Sequence, residues 1–250
     1  MKYNVHYHLI CENNENILEY AIPYWKLYAS HVFIYLFKTK NDNSEKILEK
    51  YKDFITIFNV NYDVEKYDGT IEQKLINNSF KASKGRCDFC FIGKVTDILY
   101  FKNVENTLDL MHNNKCTIYI PNKYEILDIS GHMKSEYIHE SIFNVYFNDI
   151  ANMSVFLNPN EITELNYDYI TGNIDPVGNI KFYRGYKSCI LDVKYMLFDD
   201  YLIFTQKKVS KMTSKQKKQK ANSDYNKTTE ELTNIYKQKQ NNLQIFNLLL

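Results

Sequence analysis

The chain has 250 residues, 44% of them hydrophobic, a formal net charge of +1 and five cysteines. Length and hydrophobic content fit one main globular domain, and the near-zero charge excludes a dedicated binder of the nucleic-acid backbone, which would carry a basic excess. Cys11, Cys87, Cys90, Cys116 and Cys189 are odd in number and scattered, which excludes a disulfide framework and points to reduced core thiols.

Residues 3–10 (YNVHYHLI) alternate polar and apolar side chains and predict a strand. Residues 14–30 follow with Ile17, Leu18, Ala21, Ile22, Trp25 and Leu27 at helical spacing and Pro23 as a kink position. The nearly continuous apolar run 31–37 (HVFIYLF) has the look of a parallel strand buried on both faces. Asn43-Ser44 cap a short helix over 45–51, and 54–60 (FITIFNV) predicts a third strand. A helix over 71–83 sets Ile71, Leu75, Asn78 and Ala82 on one face and leads, past Gly85, into a fourth strand over 87–92. Four strands separated by three helices imply right-handed crossovers and a mainly parallel sheet.

Beyond residue 100 the pattern loosens. Short strands are expected at 116–120, 154–157, 180–183 and 188–193, a mixed region that completes the sheet. From Tyr195 onward the chain reads as helical, over 201–220 and again over 228–250. This gives a main domain over 1–195 and a helical extension over 196–250. The run Lys207–Lys220 (KKVSKMTSKQKKQK) is either a solvated helix face or a basic surface for peripheral membrane contact. No run reaches the roughly 18 to 20 apolar residues that span a bilayer. The start, MKYNVHYHLICEN, lacks the apolar segment of a signal peptide. A cytoplasmic protein is expected.

Several blocks occur in the order found in one family. They are Glu12-Asn13-Asn14-Glu15 followed by ILEYAIPYWKLYASHVFIY; Phe37 to Asp42 followed by NSEKILEKY; the helix leading to CDFCFIGKVTDILY; VFLNPNEITELNYDYITGN; and ILDVKYMLFDDYLIF. On these blocks, covering Val5 to about Tyr236, the chain resembles family-2-like glycosyltransferases of the A-type (GT-A) fold. The resemblance implies a nucleotide-diphospho-sugar transferase fold, a nucleotide-sugar donor and a glycan or lipid-linked acceptor. It also implies a divalent cation, Mn or Mg, held by Asp-x-Asp after the fourth strand.

The departures fall on that metal site. Lys94 and Thr96 stand at the two aspartate positions, Asp97 at the next acidic one, Ile174 replaces a histidine after Gly172-Asn173, and Asp192 replaces the histidine of a His-Tyr-Lys block. A hard cation needs oxygen ligands that this set does not keep. Two readings stay open. In one, Lys94 and Lys194 supply the positive charge to a leaving diphosphate, Asp192 orients Lys94, and Asp97 or a neighbouring carboxylate serves the acceptor. In the other, Lys94 is a solvated loop residue, Asp97 caps a helix, and the chain is an inactive transferase retained for binding or assembly. Asn13, Glu15 and Asp42 are the transferable base and ribose candidates, with Phe37 as a stacking ring; Gly172, Asn173 and Asp192 mark the acceptor side. Cys87 and Cys90, with redox or zinc spacing, and His6 and His8, on one strand face, are read as core and hydrogen-bonded groups.

Overall fold

A computed structural model describes residues 1–38, 42–62, 69–126, 144–148, 154–168, 174–193, 227–241 and 244–245. The first half alternates strand and helix as expected: β1 (Val5–Cys11), α1 (Glu15–Tyr28), β2 (His31–Leu36), α2 (Ser44–Leu48), β3 (Ile55–Asn59), α3 (Thr70–Ser79) and β4 (Phe89–Lys94). Short 3-10 turns extend α2 through Glu49–Tyr51 and α3 through Phe80–Ser83. Strands β3, β2, β1 and β4 lie side by side in that order, all parallel. An α/β architecture with a mainly parallel core follows.

Two apolar clusters sandwich this core. One joins Leu18, Trp25 and other α1 residues to Tyr7, Leu9, Ile34 and Phe91; the other joins Ile76 of α3 and Phe80 to Ile10, Cys90 and Ile92. Helices thus cover both faces, as right-handed crossovers require when the chain first moves outward from β1 and then returns past it to β4. All seven residues of β1 are buried, although the polar-apolar alternation of 3–10 suggests a half-exposed strand. Its central position overrides the pattern, and hydrogen bonding satisfies the two histidines. Strand β2 departs in the opposite sense: Val32, Ile34 and Leu36 are buried while His31, Phe33 and Tyr35 are only half-buried. The face it turns toward α3 is incompletely covered.

The second half is mixed. It contains β5 (Asp97–Phe101), α4 (Val104–Asn113), β6 (Ile118–Ile126), β7 (Asn144–Asn148), β8 (Val155–Leu157), β9 (Ile162–Tyr167), β10 (Ile174–Gly178) and β11 (Phe182–Asp192). Strand β8 lies antiparallel between β4 and β6, and β11 pairs parallel with β6 and antiparallel with β5. The two strands expected at 180–183 and 188–193 are one strand with a register shift between Gly185 and Cys189. The helix expected over 228–250 is α5 (Thr229–Asn241), after which β12 (Gln244–Ile245) adds to β7. Leu232 and Tyr236 bury against the rest, and Lys239 of α5 pairs with buried Glu125 of β6. The expected helix over 201–220, and with it the basic run, lies outside the described residues.

Strands β9 and β10 form a separate two-stranded ribbon packed against α3. Its open end is at Gly178, which stands opposite Ile162 and has a φ of 141° that only glycine adopts readily, and a Cβ there would lie 2.3 Å from the Glu161 carbonyl oxygen. Gly178→Ala is therefore expected to cost about 2 kcal/mol in urea unfolding; a cost indistinguishable from zero would show that the ribbon contributes nothing to global stability.

Candidate functional site

In an open α/β sheet, ligands bind beyond the carboxyl ends of the strands where the connections change direction. That switch point lies between β1 and β4, because β1 leads outward to β2 while β3 returns to β4 on the opposite side. Ile10 and Lys94 are register partners there, and the Val95 amide donates to the Ile10 carbonyl at 3.0 Å. The candidate site lies at the carboxyl ends of β1, β2, β3 and β4, with the described residues that follow them.

The loops after β1 and β2 are tied together. Asn13, with φ of 51°, donates its backbone N–H to Asp42 Oδ2 at 3.1 Å, while Asp42 Oδ1 accepts from the Ser44 amide and hydroxyl at 3.0 and 2.6 Å. Glu15 opens α1 and accepts the Asn43 amide at 2.9 Å. Asn13, Glu15 and Asp42 are thus brought to one place, where their polar groups already brace the loop pair. Phe37 is 1% exposed, and its ring meets Tyr62 edge-on at 5.1 Å within the apolar layer under α3. It is a core ring, without the open face that stacking on a base requires. Tyr62, which the sequence pattern does not single out, stands beside Glu12; burial, then that carboxylate and Asp42, push its hydroxyl up to about 12.

Lys94 ends β4 and forms an ion pair with Glu72 of α3 at 2.9 Å, the two side chains being 16% and 6% exposed. It is not a solvated loop residue; its expected partner Asp192 has a side chain outside the described residues. Glu72 escapes sequence reading because Ile71, Leu75, Asn78 and Ala82 suggest a different inward face, whereas Glu72, Ile76 and Ser79 are the buried residues of α3. The β9–β10 ribbon packs on α3, where Asn77 Oδ1 accepts the Tyr167 amide at 2.7 Å, and the helix turns Glu72, Ile76 and Ser79 inward.

Asp97 opens a strand, not a helix. It is 4% exposed, with Lys123 Nζ 2.9 Å from Oδ1 and Ser154 Oγ donating to Oδ2 at 2.6 Å. Gly93 makes room for this contact, since a Cβ there would stand 2.7 Å from Ser154 Oγ. Both Asp97 oxygens being engaged in the interior, its carboxylate is a structural ion-pair partner rather than a base facing an acceptor. Asp192 lies in register with Asp97 on β5 and Glu125 on β6; its side chain, with Lys194, Gly172 and Asn173, falls outside the described residues.

The described residues at this position do not fit a hard divalent cation. An ammonium occupies the first ligand position, the one nearby carboxylate of the motif is held by Lys123 and Ser154, and no group of three or more His, Cys, Asp or Glu side chains among the described residues is arranged to hold a metal. Among the same residues no helix is long and apolar enough to cross a membrane.

A third cluster lies across β1 and β2. Ser83 Oγ is 2.8 Å from His6 Nδ1 and 2.6 Å from His8 Nε2, and His8 Nδ1 is 3.2 Å from the Tyr35 hydroxyl. Burial, then neighbouring His6 and His31, lower the His8 imidazole to about 3. These are hydrogen-bonded core histidines. Cys87 and Cys90 are buried free thiols whose ionisation burial suppresses.

No family model matches the chain and no curated protein matches it. Among solved structures, it is similar to residues 1–349 of TarS from S. aureus, at 8% identity and a TM-score of 0.47 over 83% of this chain and 65% of that one. A second S. aureus TarS structure gives 8% identity and 0.45 over 81% of this chain and 38% of that one. The 4-diphosphocytidyl-2C-methyl-D-erythritol synthase of Anaerococcus prevotii DSM 20548 gives 12% identity and 0.39 over 80% and 95%. The chain thus spans less than two thirds of the TarS chains it matches.

Proposed function

We propose that this chain is a glycosyltransferase that moves a sugar from a nucleotide-diphosphate donor to a glycan or lipid-linked acceptor on the cytoplasmic side, without a divalent ion. The observation that carries this reading is the position of Lys94: a partly buried lysine ammonium at the β1/β4 switch point, where the resembling family holds its cation. Negative charge grows on the diphosphate as the sugar leaves, and a fixed ammonium in a site sheltered from water stabilises it. Lys194 is the second phosphate partner in this proposal. Asn13, Glu15 and Asp42 set the loops around the nucleoside, and Gly172, Asn173 and Asp192 mark the acceptor side, with Lys207–Lys220 as a peripheral membrane contact. Deprotonation of the acceptor hydroxyl falls to a carboxylate other than Asp97.

Calorimetric titration with UDP, GDP, CDP and dTDP, each with chelator and with Mn, tests the reading. One nucleotide is expected to bind equally in both conditions, and Lys94→Ala to weaken it by about tenfold to a hundredfold, the worth of one charge-assisted contact. Absence of binding by all four in both conditions would remove the proposal. The engagement of Asp97 by Lys123 and Ser154 favours a second reading, an inactive transferase retained for binding or assembly. Nucleotide binding without transfer or hydrolysis of the corresponding sugar donor would select it.

A further inference from the structure

Strand β3 ends the sheet, and among the described residues no strand lies against its outer edge. On its inner side the Val32 amide donates to the Phe54 carbonyl and the Val60 amide to the Leu36 carbonyl. Since β3 runs parallel to β2 with Ile55 in register with Val32, Thr56 and Phe58 also turn their backbone groups toward β2. The amides and carbonyls of Ile55, Ile57 and Asn59 therefore point outward.

Proteins blunt such an edge with lysine, proline, an inward-pointing charge or a bulge. Strand β3 uses none of these: its sequence ITIFN carries no charge and no proline, and its register with β2 runs without a shift. The side chains point the same way. Phe58 is 46% exposed and lies nearly parallel to the rings of Phe33 and Tyr35, at 6.3 and 5.6 Å. It is the outermost ring of a stack that begins at His8 on β1 and crosses β2, so its far side is turned to the open edge.

We propose that the β3 edge pairs antiparallel with the same edge of a second copy of this chain, so that the sheet runs on through a two-fold dimer. A second copy is the occupant that the strand itself fits. With Ile57 opposite Ile57, Ile55 faces Asn59, and all three outward-pointing residues of each chain find a partner. Sliding the pair by two residues moves Ile55 or Asn59 past the end of the opposing strand. The same register sets Phe58 beside Thr56 of the copy, Asp53 opposite Asn61 and Lys52 opposite Tyr62, so no like charges meet. Strands this short bury less surface than an obligate dimer requires, and association in the high-micromolar range is expected. Antiparallel pairing turns the carboxyl ends of the two sets of strands in opposite directions. The two β1/β4 crevices then open toward opposite ends of the dimer, each within one chain, so this assembly is independent of the nucleotide reading above.

The experiment combines sedimentation equilibrium of the whole protein, from micromolar to millimolar concentration, with residue-resolved amide hydrogen exchange by NMR at both ends of that range. A monomer–dimer equilibrium is expected, and in the dimer the amides of Ile55, Ile57 and Asn59 should gain protection. Those of Thr56 and Phe58, which bond to β2, should be protected at every concentration. Ile57→Pro removes an outward N–H and leaves the ladder to β2 intact; it should weaken the dimer by about tenfold to a hundredfold, the loss of the two central bonds. Asn59→Pro, at an exposed position nearer the strand end, serves if Ile57→Pro does not fold, and should weaken the dimer in the same direction. A monomer up to millimolar concentration overturns the inference. So does a dimer in which Ile55, Ile57 and Asn59 gain no protection, which assigns association to another surface. Protection of these three amides already in the dilute monomer overturns it too, because the edge would then be covered within one chain. A dimer of unchanged strength in a folded proline variant has the same consequence.

Discussion

Asp97→Ala is expected to lower the unfolding free energy by about 3–5 kcal/mol, the cost of removing one member of a buried ion pair. Lys123 is 7% exposed and would remain in the interior without the Asp97 carboxylate, and Ser154 Oγ would lose its acceptor. The effect spreads through three strands, since Asp97 lies on β5, Lys123 on β6 and Ser154 directly precedes β8. Urea unfolding followed by the fluorescence of Trp25, the one tryptophan of the chain, measures it. Removing both charges, in Asp97→Leu with Lys123→Met, should recover most of the loss, because two apolar groups of similar size need no desolvation. A loss below about 1 kcal/mol for Asp97→Ala, within the range of exposed pairs, would mean that water reaches the pair and that Asp97 is open to the crevice after all.

The second large effect is on acid stability. His8 is 1% exposed and its imidazole is lowered to about 3, first by burial and then by His6 and His31. The unfolded chain takes up this proton near the ordinary histidine value of about 6.5, whereas the folded chain does not until about 3. Between those limits the unfolded state binds more protons. The stability contributed by neutral His8 is therefore complete above about 6.5 and falls as pH drops, by up to roughly 4 kcal/mol on reaching the lower limit. His6 and His31 are lowered in the same direction, mainly by burial, and add to the slope. In His8→Gln, which keeps a polar partner for Ser83, the slope of stability against pH between about 6 and 4 should flatten measurably. An unchanged slope would assign acid sensitivity to other groups.

The stability and the chemistry of this chain draw on the same kind of contact. Lys94–Glu72 and Lys123–Asp97 are both largely buried ion pairs flanking the same strand end. One of them joins a helix to the sheet; the other joins strands to strands. Exposure separates them, since the Lys94 side chain retains 16% of its surface and that of Lys123 7%.

By itself the sequence determined the succession of elements through β4. Apolar runs of strand length alternate with stretches of helical period, and that alternation forces parallel pairing, covers both sheet faces and carries the switch point to the ends of β1 and β4. The gathering of Asn13, Glu15 and Asp42 was also legible, because all three follow the first two core strands. Tertiary structure decided what the charged groups at that switch point touch. Lys94 meets Glu72 because α3 buries Glu72 together with Ile76 and Ser79; Asp97 meets Lys123 because β5 and β6 flank β11. Periodicity reports which face of an element is buried when one partner covers it. It does not report which distant side chain lies opposite when partners cover it on two sides, so the ion pairs on which the proposed chemistry turns belong to packing alone.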